Sequence, residues 1–139
     1  MKDAIESKIR VLVADDSTSL RNRLGRMISQ IPGVGAVRLA ADMPDALAAV
    51  ADEPADLIVL DIQMPGGSGM DVLREVKKTR PATIVIMLTH YPYLQYHERC
   101  LELGADYFLS KSTNSNDLLE LIQRLVKRKK RLNEEDWRT

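Results

Sequence analysis

The sequence predicts an α/β protein in which five parallel strands form a doubly wound sheet with helices on both faces. Three observations lead there. Five short apolar runs, several of them rich in β-branched residues, alternate with five segments whose apolar residues recur at helical spacing. The joints between them are short, which favours parallel strands connected through helices. The run Leu57-Ile58-Val59-Leu60 reads as a strand buried on both faces. It belongs between the other two most apolar strands, which gives the order 2-1-3-4-5.

The first strand is Ile9-Arg10-Val11-Leu12-Val13-Ala14, ended by Asp15 and Asp16. Leu20, Leu24, Met27, Ile28 and Ile31 then mark an amphipathic helix from about Ser17, stopped by Pro32-Gly33. Val34 to Ala40 reads as the second strand. Pro44 suits a first helical turn, and Leu47 and Val50 line the short helix that follows until Glu53-Pro54. After the strand that ends in Asp61, Pro65 and three glycines hold the chain in a loop, and Ser68 is placed to cap a helix starting near Met70. Leu73 and Val76 give that helix its buried side, and Arg80-Pro81 closes it. Thr83 to Leu88 is the fourth strand, ending in Thr89-His90. Tyr91-Pro92-Tyr93 leads into a fourth helix near Leu94 to Leu103, ended by Gly104. Tyr107-Phe108-Leu109 is the fifth strand, followed by Ser110-Lys111. Asn114 or Ser115 caps the last helix, whose stripe is Leu118, Ile122, Leu125 and Val126.

The chain has 139 residues, enough for one domain with a real core. Twenty basic and twenty acidic residues cancel, so nothing global points to nucleic acid or a membrane surface. The single cysteine, Cys100, excludes an internal disulfide and a cysteine zinc cluster, and a reducing cytoplasm is the simplest setting. No apolar run reaches the length of a membrane span. Residues 1–8 read as a polar lead-in, 9–131 as the domain and 132–139 as a tail too short for an output domain. The run Lys127-Arg128-Lys129-Lys130-Arg131 reads as a solvated helix end that complements the helix dipole. No aromatic platform or DNA-reading motif accompanies it.

Four of the five strands end in groups suited to chemistry. Strand one supplies Asp15 and Asp16, strand three Asp61, strand four Thr89 and strand five Lys111. Parallel strands bring these ends to one edge. Three carboxylates make a hard-oxygen site suited to Mg²⁺, and Lys111 with the Thr89 hydroxyl offers a cation and a donor to an oxyanion. Taken singly, each has a plainer reading: Asp15 or Asp16 as a helix cap, Lys111 as a solvated turn residue, Thr89 as a strand former. Their joint placement argues against that account.

Val13-Ala14-Asp15-Asp16-Ser17, Asp61 to Gly69, Leu88-Thr89 and Gly104 to Lys111, in that order, resemble the receiver domain of two-component response regulators over about residues 8–130. The resemblance implies a flavodoxin-like strand order. It implies that Asp61 is the phosphoacceptor, that Asp16 binds Mg²⁺ directly and Asp15 through water, and that the backbone carbonyl of Gln63 is a further ligand. Lys111 matches the lysine that pairs with the phosphoryl group, Thr89 the switch hydroxyl and Phe108 the switch aromatic. The implied donor is a sensor histidine kinase or phosphotransfer protein. The implied output is a change in the face formed by helix four, strand five and helix five, read by a protein partner. If the chain is complete, it is a stand-alone receiver in the cytoplasm, with at most slow self-dephosphorylation and no other enzyme activity.

Three departures stand out. Ser112 replaces the proline that commonly follows the lysine, Phe108 lacks the usual tyrosine hydroxyl, and His90 takes the place of a small residue, as a candidate lid over the site. Crowding by His90 supports the alternative of a phosphate-independent interaction module. A haloacid-dehalogenase type of phosphatase fits less well, since it wants an acid where Gln63 stands.

Overall fold

A computed structural model describes residues 8–90, 94–111 and 115–138, with side chains followed as far as Lys129. Its elements run β1 (Ile9–Ala14), α1 (Thr18–Ser29), β2 (Val34–Ala40), α2 (Met43–Asp52), β3 (Leu57–Asp61), α3 (Gly69–Thr79), β4 (Ile84–Thr89), α4 (Leu94–Glu102), β5 (Tyr107–Ser110) and α5 (Ser115–Arg138). The five strands are parallel and lie in the order β2-β1-β3-β4-β5, as the hydrophobic pattern predicts. Gln63–Met64 and Gly67–Ser68 form a small antiparallel ladder inside the loop after β3.

The sheet alternates its side chains between two cores. Leu12, Ile58, Leu60 and Met87 meet Val50, Leu73, Val76 and Cys100 on one face. Val11, Val13, Val59 and Ile86 meet Leu24, Ile28, Leu118 and Ile122 on the other. The helix stripes expected from the sequence are therefore the inward faces of the helices.

Local chemistry fixes the helix starts. Ser17 Oγ accepts from Leu20 N at 3.4 Å, Asp42 Oδ1 from Asp45 N at 2.8 Å, and Ser68 Oγ from Met70 N at 3.1 Å. Arg38 does the reverse at the end of α2, donating to the carbonyls of Ala49 and Glu53, each at 2.7 Å. Gly104, at φ +101°, lets the chain leave α4 while Ala105 N donates to Cys100 O at 2.9 Å.

Two expectations are revised. Ser115 is the first residue of α5, not its cap, and Asn114 lies outside the described residues. The last helix continues through the basic run and the supposed tail to Arg138. No glycine or proline interrupts 115–138, and Glu134 and Glu135 follow Lys130 and Arg131 at i,i+4 spacing, so nothing in the sequence stops it. Among the described residues no helix is long and apolar enough to cross a membrane.

Candidate functional site

Sheet register builds the site. Ala14 pairs with Leu60 and Asp61 with Leu88, so Asp15 emerges beside Asp61 at the same edge. The carboxylates of Asp15, Asp16 and Asp61 each offer an oxygen within 4.8 Å of the other two. Asp15 and Asp61 are buried, and Asp16 is exposed at the rim. Lys111 arrives from the end of β5, where its N–H donates to Thr89 O at 2.6 Å. Its ammonium stands 2.7 Å from Asp15 Oδ2 and 2.8 Å from Asp61 Oδ2. Asp15 is further fixed by Ser17 N, which donates to its Oδ1 at 2.8 Å, and its carbonyl accepts from the Arg21 guanidinium at 2.7 Å.

Burial pushes the Asp61 carboxyl above the ordinary carboxylate range. The bond and charge of Lys111 oppose the rise, the charge of Asp15 adds to it, and the Gln63 N–H, donating at 3.3 Å, opposes it. Burial alone would lower the Lys111 pKa, but its bonds to Asp15 and Asp61 and their charges outweigh that and hold it above its usual value. The site is therefore a tight group of two buried carboxylates around a charged ammonium, open to solvent on the Asp16 side.

The loop after β3 lies tight against this group. Gly69 N donates to Ile62 O at 2.6 Å, and Ser68 Oγ donates to the same carbonyl at 3.3 Å. A Cβ at Gly69 would run into the carbonyl oxygen of Asp61, so only glycine permits α3 to start this close to the strand end. The loop is also tied to α2, since Met43 N donates to Pro65 O at 3.1 Å.

The remaining expected residues are distributed around the group. Thr89 is buried at the end of β4, paired with Ser110 in register. Gln63 is exposed, in the first strand of the small ladder. Phe108 is half-buried in β5 at the margin of one core. His90 is exposed directly after β4, and its expected neighbour Tyr91 and the departure at Ser112 lie outside the described residues. Two partners escape the sequence. Lys111 binds Asp15 as well as Asp61, and the Phe108 ring is stacked on His97 of α4, with centroids 4.7 Å apart and planes 6° from parallel. Neither follows from spacing along the chain.

The donor set suits a hard divalent cation: three carboxylates close enough to share one ion, one of them reaching solvent. The fold and the site together define a doubly wound α/β protein with an acidic pocket at the carboxyl edge of its sheet. The sequence model of the response regulator receiver domain matches residues 11–123, and the chain belongs to that family. Membership implies phosphorylation-dependent signalling of the two-component kind.

Among its relatives, a protein-glutamate methylesterase/protein-glutamine glutaminase of Symbiobacterium thermophilum is 35% identical over 119 residues, covering 85% of this chain and 33% of the relative. The transcriptional regulatory protein YvfU of Bacillus subtilis, itself uncharacterized, is 31% identical over 122 residues, covering 88% of this chain and 61% of YvfU. The chain thus spans about a third to three fifths of the length of these two relatives. A CheY-like receiver domain protein from Methanospirillum hungatei superposes with a TM-score of 0.80 at 31% identity, covering 94% of this chain and 99% of that one. The BeF3-activated receiver domain of DrrB, a Thermotoga maritima protein, gives a TM-score of 0.77 at 27% identity, covering 86% of this chain and 98% of that one.

Proposed function

We propose that this chain is a phosphorylation-controlled switch whose acceptor is Asp61. The observation that carries the reading is the Asp61 carboxylate itself. It is 5% exposed, 2.8 Å from the Lys111 ammonium, and grouped with Asp15 and Asp16. A sensor histidine kinase or phosphotransfer protein presents a phosphohistidine. A carboxylate oxygen of Asp61 forms a bond to phosphorus, the phosphorus–nitrogen bond breaks, and the imidazole leaves with the electron pair and takes up a proton. The product is an acyl phosphate.

This step brings anion towards anion, so charge must be neutralised where it develops. Lys111 provides one positive charge in place, and its bond to Asp15 keeps it aimed when Asp61 is modified. Asp15, Asp16, Asp61 and the backbone carbonyl of Gln63 would hold Mg²⁺, which supplies further neutralisation of the phosphoryl oxygens when bound. Thr89 then meets new acceptor oxygens nearby. Its movement opens room for the Phe108 ring, and the face made by α4, β5 and α5 changes shape for a protein partner. The setting is the cytoplasm, and the activity beyond acceptance is at most slow self-dephosphorylation. The esterase named for one relative stays outside this reading, because the match covers only a third of that protein.

The test is to incubate the protein with Mg²⁺ and acetyl phosphate and to follow intact mass. The parent gains one phosphoryl group and Asp61→Asn gains none. Undiminished phosphorylation of Asp61→Asn would move the acceptor elsewhere. A parent that takes up neither phosphoryl nor beryllofluoride would favour the phosphate-independent interaction module.

A further inference from the structure

We propose that His97 is a positioning residue for the switch: its imidazole, stacked on Phe108, holds the aromatic ring where it lies in this structure, so that activation, which moves that ring, has to break the stack. The inference rests on the reading of Phe108 as the switch aromatic.

The geometry is specific. The two rings are nearly parallel, 6° apart, with centroids separated by 4.7 Å. That separation exceeds the contact thickness of two rings, about 3.5 Å, so the stack is laterally offset, the arrangement that aromatic pairs favour. Phe108 is half-buried and packs against one of the two cores. His97 is exposed on α4, one turn before buried Cys100 at i+3 and exposed Leu101 at i+4. The imidazole therefore covers one face of the phenylalanine ring and ties α4 to β5.

Position gives the contact its consequence. Phe108 pairs with Met87 in register, and Thr89 with Ser110, so the ring and the switch hydroxyl sit on adjacent strands within one turn of the pleat. In the proposed switch the ring moves inward as Thr89 moves towards Asp61. His97 belongs to a different element, so a ring that moves on its strand slides off the face it now shares with the imidazole. The stack thus stabilises one of the two states only, and only such a difference shifts a two-state equilibrium. Its size, that of a single aromatic pair, translates into a roughly three- to tenfold bias towards the inactive state.

The chain contains one phenylalanine. Ring-¹³C phenylalanine therefore gives a single aromatic spin system, and it reports on Phe108 without assignment. Beryllofluoride is titrated with Mg²⁺ present, in the parent, His97→Ala and His97→Tyr. Alanine is the better helix former, so the first substitution removes the ring without weakening α4. The expected result has three parts. His97→Ala shifts the resting Phe108 signals by loss of the imidazole ring current. Its beryllofluoride midpoint falls roughly three- to tenfold. His97→Tyr, which restores a stacking ring, returns the midpoint towards the parent value. Phe108 signals that respond to beryllofluoride with the same midpoint in parent and His97→Ala would overturn the role of His97 and leave the switch standing. Parent signals that do not move at all would overturn both, through the assignment of Phe108.

Discussion

Lys111 Nζ stands 2.7 Å from Asp15 Oδ2, and both side chains are almost wholly buried. The same ammonium binds Asp61, so one cation holds two carboxylates that would otherwise repel. Removing one member of a buried ion group costs about 3–5 kcal/mol, because its partners stay desolvated and unpaired. Lys111→Met keeps most of the side-chain length and removes the charge. Its unfolding free energy in urea should drop by about that much at neutral pH. The loss should depend on pH. Without the ammonium, burial and the charge of Asp15 push the Asp61 carboxyl further up. Stability linked to a raised carboxylate pKa is present in acid and lost as pH rises through the folded value. The deficit should therefore be smallest in acid and grow as pH rises. Equal stability of variant and parent at every pH would mean that the ion group is not formed in solution.

Asp61→Asn should act in the opposite direction. The Asp61 pKa is raised above its ordinary 3.8, chiefly by burial. Ionisation at neutral pH therefore costs the folded state more than the unfolded one. Asparagine cannot ionise, and Lys111 keeps Asp15 as its partner. The variant should melt on the order of a few degrees higher than the parent at neutral pH, without metal. The advantage should shrink as pH falls and vanish below the ordinary value of 3.8, where the carboxyl is protonated in both states. Calorimetric melts at several pH values check both statements. A variant that melts lower at neutral pH would show that the Lys111–Asp61 bond outweighs the burial of the charge.

The strand alternation and the polar groups at four strand ends carried the fold and most of the site, because apolar runs of this length are buried whatever their neighbours. What the sequence does not contain is register. Lys111 and Asp61 are 50 residues apart, and it is the family likeness, not spacing, that brings Lys111 to the phosphoryl site. That Asp15 shares the same ammonium needs the alignment of β1, β3 and β5, which no local pattern encodes. His97 is hidden for a similar reason. Helical spacing places it at the margin of α4, but its partner lies in a strand. The end of α5 is not legible in the charge pattern: a change from basic to mixed charge resembles a tail, while the backbone responds to helix breakers, and none is present before Arg138.

Asp56 offers a prediction at the opposite edge of the sheet. Its Oδ2 accepts from Arg10 N at 2.8 Å, and its Oδ1 accepts from the Lys129 ammonium at 2.7 Å. Burial alone would raise its pKa, but Lys129 and Arg10 together bring it below the usual 3.8. A lowered carboxylate pKa contributes stability above the unfolded value, and that contribution disappears as pH falls through the folded value. Asp56→Asn should thus be destabilised by about 1–2 kcal/mol at neutral pH and match the parent in strong acid. Lys129→Met should cost less, at most about 1 kcal/mol, because the ammonium is partly exposed and screened. Raising salt should shrink the second deficit more than the first. Urea midpoints across pH and salt decide the matter. An Asp56→Asn penalty that stays constant down to strong acid would assign the effect to packing.

Gly69 tests how tightly the acceptor strand and α3 are joined. Its φ is not positive, so alanine fits the backbone conformation, and alanine favours a helix over glycine by about 0.8–1.0 kcal/mol. Propensity alone predicts a gain. Space predicts a loss: the added methyl would overlap the Asp61 carbonyl oxygen and lie 2.9 Å from its carbonyl carbon and 3.2 Å from Ile62 Cα. These are backbone atoms of the strand that carries the acceptor, so they cannot turn aside as a side chain would. Gly69→Ala should therefore lose about 1–3 kcal/mol and slow phosphorylation, because any relief displaces Asp61 from Lys111. Gly25→Ala in α1 is the matched control. There the methyl meets only the Leu39 side chain, nearest at its Cδ2, 3.0 Å away, and that side chain is 43% exposed. Leu39 can swing away, so that variant should be as stable as the parent or slightly more so. Melting curves and phosphorylation rates for the pair separate crowding at the strand end from a general intolerance of glycine substitution. Parent-like behaviour in both variants would show that α3 can shift away from β3 without disturbing the acceptor.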